Sequence, residues 1–191
     1  APGGLSGALS VSVDPLAANV TGVTDRLSVA GDSAEANDGS SSVAVSADGR
    51  FVAFASDASN LVPGDTNGLP DTFLRDTCRG VAAGCTPSTV RISIASDGSQ
   101  GNGWSSAPAL SANGRFIAFT STSTNLSIAD NDAAEDVFVR DTCTGASSCT
   151  PSTVLVSVAN DGSAGSDLSW APAISADGRF VVFVSSAPTL V

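Results

Sequence analysis

Three near-copies of one nine-residue segment run through the chain: Ser46-Ala-Asp-Gly-Arg-Phe-Val-Ala-Phe54, Ser111-Ala-Asn-Gly-Arg-Phe-Ile-Ala-Phe119 and Ser175-Ala-Asp-Gly-Arg-Phe-Val-Val-Phe183. Their serines lie 65 and 64 residues apart (111 − 46 and 175 − 111). A period of this kind denotes an array of like units, none of which can bury its apolar faces alone.

Each full unit holds four strand-like runs bounded by turn residues. In the second unit these are strand a, Ala107 to Leu110; b, Arg115 to Ser121; c, Asp136 to Arg140; and d, Val154 to Ala159. Asn113-Gly114 joins a to b, as Asp48-Gly49 and Asp177-Gly178 do in the other copies, and these dipeptides favour tight hairpin turns. Strand b is apolar on both faces: Phe116, Ala118 and Thr120 point one way, Ile117 and Phe119 the other. A sheet of that kind needs cover on both sides. No run shows helical periodicity long enough to provide it, so other sheets must. The expected fold is all-β: four-stranded antiparallel sheets stacked face to face.

The run Ser-Ala-Asp-Gly-Arg-Phe-Val-Ala-Phe, followed by Asp136-Val-Phe-Val-Arg-Asp141, resembles the TolB-like β-propeller repeat of secreted bacterial proteins. The resemblance covers nearly the whole chain and implies a β-propeller of four-stranded blades. Ala47, Ala112 and Ala176 stand where that family usually has proline. The resemblance implies little about function, because such propellers serve as scaffolds, binding platforms and enzyme accessory domains.

Two whole blades are expected at 35–99 and 100–164. Residues 165–191 supply strands a and b of a third, and residues 1–34 supply strands c and d. Ser10-Val-Ser-Val-Asp14 aligns with Val137-Phe-Val-Arg-Asp141 as strand c, and Asp25-Arg-Leu-Ser-Val29 with Val154-Leu-Val-Ser-Val158 as strand d. Joined tail to head, the sequence continues in register. Three blades are too few to close a ring. The expectation is that the c–d hairpin of one copy, residues 8 to 30, completes the a–b hairpin of another, residues 171 to 186, by β-augmentation. Such a heterologous contact gives a six-bladed dimer ring or an open filament. The alternative is an excerpt of a longer extracytoplasmic propeller that binds a protein or glycan ligand.

The net charge is −11, with eight arginines and no lysine, which argues against nucleic-acid binding. Histidine is absent and no apolar run is long enough to span a membrane. Each full unit carries two cysteines, Cys78 with Cys85 and Cys143 with Cys149, so local disulfides are expected. A zinc site built from all four would need closer spacing within the pairs. Disulfides imply an oxidising, extracytoplasmic compartment, and Ala1-Pro-Gly-Gly could follow a cleaved signal peptide.

The b–c loops carry the acids. One reads Gly64-Asp-Thr-Asn-Gly-Leu-Pro-Asp71, the other Ala129-Asp-Asn-Asp-Ala-Ala-Glu-Asp136. Asp65, Asn67 and Asp71, and likewise Asp130, Asp132 and Asp136, present alternating oxygen ligands that suit Ca2+. The plainer reading is that Asp and Asn form turns there. Because the acids repeat with the fold, and an active site is usually singular, no catalytic role is expected for them. Arg75 and Arg140 are expected to reach aspartates such as Asp48 or Asp177, and Trp104 and Trp170 to pack in the core. Asn19-Val-Thr21 and Asn125-Leu-Ser127 match the glycosylation sequon.

Overall fold

The computed structural model describes residues 10–11, 24–130 and 132–191, and within these every regular element is a strand. Two four-stranded antiparallel sheets form the centre. The first runs β3(Ser40–Val45), β4(Phe51–Ser56), β5(Asp71–Asp76), β6(Ser88–Arg91). The second runs β7(Ser105–Leu110), β8(Phe116–Ser121), β9(Asp136–Asp141), β10(Ser152–Leu155). A two-stranded sheet, β11(Ser169–Ile174) with β12(Val181–Ser185), follows. Another, β1(Ser10–Val11) with β2(Asp25–Arg26), precedes them. The strands occur in the expected order a-b-c-d, with the a–b and c–d pairs at opposite ends.

Three local differences from the sequence reading have physical causes. Strand d ends at Leu155, because the chain then turns sharply at Ala159–Ser163 and closes an isolated bridge, Val158↔Ala164. Strand a carries a bulge in all three units, at Ser41/Ala44, Ser106/Ala109 and Trp170/Ala173. A non-glycine residue with positive φ marks each one: Ser42, Ala107 and Ala171. The β1–β2 pairing, Ser10↔Arg26 and Val11↔Asp25, is one residue out of step with Phe138↔Leu155 in the second unit. A ribbon with only two paired positions specifies its register weakly. The remainder of the expected strand c, Ser12 to Asp14, and the sequon at Asn19 lie outside the described residues.

The signature segment builds the a–b corner. Ser46 Oγ bonds Asp48 Oδ1 at 2.6 Å and accepts from the Phe51 N–H at 2.9 Å, while Asp48 Oδ1 accepts from the Arg50 N–H at 3.0 Å. Gly49 takes φ 72°, the left-handed region that glycine enters without cost. Arg50 grips Asp76 of strand c through two hydrogen bonds, 2.9 and 2.6 Å, and Arg115 grips Asp141 the same way.

Arg75 and Arg140 do not reach aspartates in the turns. Each binds a carbonyl in the preceding d–a connection, Ala30 O and Ala95 O, and a threonine hydroxyl of its own strand d, Thr89 and Thr153. The turn aspartates are already occupied by their own serines. Trp104 and Trp170 are partly exposed at the start of strand a rather than buried in the core.

The main core lies between the two four-stranded sheets. Phe51, Ala53, Leu74 and Ile92 of the first meet Ile117, Phe119, Leu126 and Phe138 of the second. A smaller core on the far side of the first sheet gathers Phe54, Phe73, Leu61, Ala58 and Ala36. Phe54 stacks on Phe73, and Phe119 on Phe138, both with ring centroids 5.8 Å apart. Both faces of strand b are thus covered in the four-stranded units.

Candidate functional site

Two features stand out: the acidic b–c loops, and the faces at the two ends of the stack.

Register places the acidic loops in equivalent positions, Asp71 opposite Ser56 and Asp136 opposite Ser121. Each of these aspartates starts strand c, is fully buried, and takes a hydrogen bond on Oδ1 from a serine two residues past the end of strand d, Ser93 or Ser157. Beyond that the two loops differ. In the first, Arg91 enters between the carboxylates: its Nε lies 3.3 Å from Asp71 Oδ2 and its Nη2 lies 3.4 Å from Asp65 Oδ1. Gln100 Nε2 donates to Asp65 at 3.1 Å and to Asp71 at 3.2 Å, and Asn67 Nδ2 to Asp71 at 3.4 Å. Burial pushes the Asp71 carboxyl up, against the opposing pull of Ser93 and Arg91.

Among the described residues the second loop has none of these cationic or amide groups. Strand pairing puts Leu155 where the first unit has Arg91, since Phe138↔Leu155 matches Phe73↔Arg91. The bridge Val158↔Ala164 puts Ala164 where Ile94↔Gln100 has glutamine. Asp132 replaces Asn67. Carboxylate oxygens of Asp130, Asp132 and Asp136 lie within 4.8 Å of one another. Asp130 and Asp136 are buried, and Asp136 Oδ2 accepts no hydrogen bond among the described residues. Burial, with the neighbouring charges of Asp130 and Asp132, outweighs the Ser157 bond and pushes the Asp136 carboxyl up to about 6. All six predicted ligand residues thus gather in two clusters, but only one of these is already closed by an arginine. The signal that separates them was in the sequence, at positions 91 and 100 of strand d and its following turn.

The cysteines pair locally, Cys78–Cys85 and Cys143–Cys149, and none of the four is free. Both bonds close the c–d loops. They fit an oxidising environment. Their sulfurs lie near Asp76 and Asp141, but a disulfide sulfur is not a thiolate ligand.

Successive units meet through a repeated contact. Ala47 N–H donates to Ala112 O at 3.0 Å, and Ala112 N–H donates to Ala176 O at 2.9 Å. The Phe51 ring fits against Gly114, where a Cβ would overlap it, and Phe116 fits against Gly178 in the same way. The series then stops: nothing among the described residues accepts from Ala176 N–H. Phe180, Val182 and Val184 on β12 are 64%, 68% and 49% exposed, whereas the matching Phe51, Ala53 and Ala55 are 5%, 0% and 3%. At the other end Gly49 has open space around it, and Val43 and Val45 are about half exposed. Arg179 stacks on Phe180 but has no carboxylate partner among the described residues, unlike Arg50 and Arg115.

No protein-family model matches the chain, and no curated protein is significantly similar to it. Among the described residues no helix is long and apolar enough to cross a membrane.

Proposed function

We propose that this protein is a non-enzymatic, secreted structural module of the β-propeller type. Copies join head to tail by completing a split blade. The observation that carries this reading is the complementarity of the two open faces. One end offers Ala176 N–H, Phe180, Val182 and Val184; the other offers Ala47 O, Gly49, Val43 and Val45. The two ends are the unmatched halves of a contact that the stack already makes twice. A second copy supplies both halves at once. Its β1–β2 hairpin continues the sheet beside β12, and its first four-stranded sheet covers the Phe180 face. The alignment also sets Asp14 where Asp76 and Asp141 stand, opposite Arg179. Burying each large apolar side chain contributes about 1.5–3 kcal/mol, enough for the three on β12 to support association.

Light scattering across a concentration series tests the reading. A dimer or larger species is expected, and Phe180→Glu with Val182→Glu should reduce it to a monomer that keeps its β-sheet circular dichroism. Negative-stain images separate a ring from a filament. A wild-type chain that stays monomeric at high concentration overturns the proposal.

A further inference from the structure

The chain has eight arginines and no lysine, and three of the eight line one pocket. Arg26 of β2, Arg75 of β5 and Arg79 of the following c–d loop meet around a cavity of about 550 Å3, with Asp25, Leu27 and Pro87 among its other walls. The pocket lies between the first four-stranded sheet and the two-stranded sheet that precedes it. In a molecule of net charge −11, this is where the cations gather. Three of the other arginines are tied to carboxylates of their own: Arg50 to Asp76, Arg115 to Asp141, and Arg91 to Asp65 and Asp71.

Arg75 is buried, at 6% exposure, and has no carboxylate partner among the described residues, since the adjacent Asp76 is gripped by Arg50. Its Nη1 donates to Ala30 O and to Thr89 Oγ1, both at 3.1 Å. Its Nε and Nη2 donate to nothing among the described residues. Neither is sealed from solvent, so these donors open on the pocket that Arg75 lines. Burial pulls the Arg75 pKa down, against a smaller opposing pull from Asp76. Arg26 and Arg79 each use a single nitrogen, Nη1 on Glu35 at 2.6 Å and Nη2 on Asp25 at 2.7 Å, and the rest of each fork remains. The equivalent junction one unit on lacks this arrangement. Arg140 keeps the bonds to Ala95 O and Thr153, but Thr144 stands in place of Arg79 and Val90 in place of Asp25. Arg91, the counterpart of Arg26, is turned to Asp65 and Asp71. Stacking therefore calls for the buried arginine alone, and the two further arginines are additions at one junction.

We propose that Arg26, Arg75 and Arg79 bind the phosphate or sulfate group of a small ester. A tetrahedral oxyanion takes paired N–H bonds from arginine forks, and the planar guanidinium suits it better than any other side chain. The cavity has the size of a small-molecule site, about 300–1,000 Å3, and far exceeds a free inorganic ion. The remainder of the ligand lies against Leu27 and Pro87, which carry no charge. Asp25 is the one carboxylate in the wall, and it competes with the ligand for Arg79. The ligand touches both β2 and the first four-stranded sheet, so binding also fastens the two together.

The test is calorimetric titration of the full-length chain with sodium phosphate, sodium sulfate, glucose 6-phosphate and glucose 6-sulfate, at an ionic strength held constant with chloride. At least one ester should bind saturably, more tightly than its inorganic ion, and raise Tm. The two esters tell a phosphate site from a sulfate site. Arg79→Gln and Arg26→Gln, both at partly exposed side chains, should each weaken binding about tenfold, the loss of one charge-assisted hydrogen bond. Asp25→Asn should tighten binding, because the competing carboxylate is gone; a purely structural role for these residues would give no such gain. Saturable binding by neither ester, no preference for an ester over its free ion, undiminished binding in either folded arginine variant, or weaker binding in Asp25→Asn would overturn the assignment.

Discussion

At the scale of single residues, the signature segment is a set of separate jobs. Serine and aspartate tie the turn, glycine supplies its left-handed step, arginine reaches strand c, and phenylalanine reaches the next unit. The Arg50 and Arg115 hydrogen bonds hold the Asp76 and Asp141 carboxyls below the usual carboxylate range. A group with a lowered folded-state pKa contributes stability above its unfolded value, about 3.9, and loses that contribution as pH falls through the folded value. Tm should therefore drop below about pH 4. Arg50→Met with Arg115→Met should flatten that acid limb while lowering Tm at neutral pH; an unchanged limb would show that these pairs contribute nothing. The motif's turn roles were legible in Asp-Gly and Asn-Gly. The arginine's partner was not, because Asp76 lies 26 residues away across a sheet. Nor was the difference between the two acidic loops evident while they were compared only with each other. It came from Arg91 and Leu155, on another strand.

At the scale of elements, the apolar runs and turn residues located all four strands of the two full units, because strand b needs apolar side chains on both faces and the turns need glycine. The strand-a bulge was hidden, since Ser42, Ala107 and Ala171 carry no glycine to announce a positive φ. Strand d was read too long, because its apolar pattern continues past Leu155 into a turn fixed by Asp161 and Ser163. The disulfides close the c–d loops. Cys143 and Cys149 are only 6 positions apart, and closing so short a loop is worth about 2–2.5 kcal/mol in the chain-entropy account. Replacing both with serine should lower Tm by roughly 5–10 °C for a domain of this size. Thermal melts with and without reductant check this, and the serine variant should keep only the part of the reductant response that belongs to Cys78–Cys85.

At the scale of the whole molecule, stability and assembly share one contact. Gly114 and Gly178 receive phenylalanines from the preceding unit, so they serve the stack internally. Gly49 has the same conformation, φ 72°, and the same sequence surroundings, yet open space around it. If copies associate head to tail, Gly49 receives Phe180 of a neighbour and any side chain there blocks the fit. Asparagine separates the two roles, because it adopts left-handed φ with little strain. Gly49→Asn should leave the Tm of dilute, dissociated protein within about 1 °C, as expected for a surface change under 0.5 kcal/mol. It should weaken association at least tenfold. Gly114→Asn, by contrast, forces its side chain into the Phe51 ring and should destabilise the chain by about 1–3 kcal/mol, the range for overpacked cores. Equilibrium sedimentation beside denaturant melts reads both effects. If Gly49→Asn associates like wild type, the two open faces do not meet, and the exposed β12 surface serves another partner.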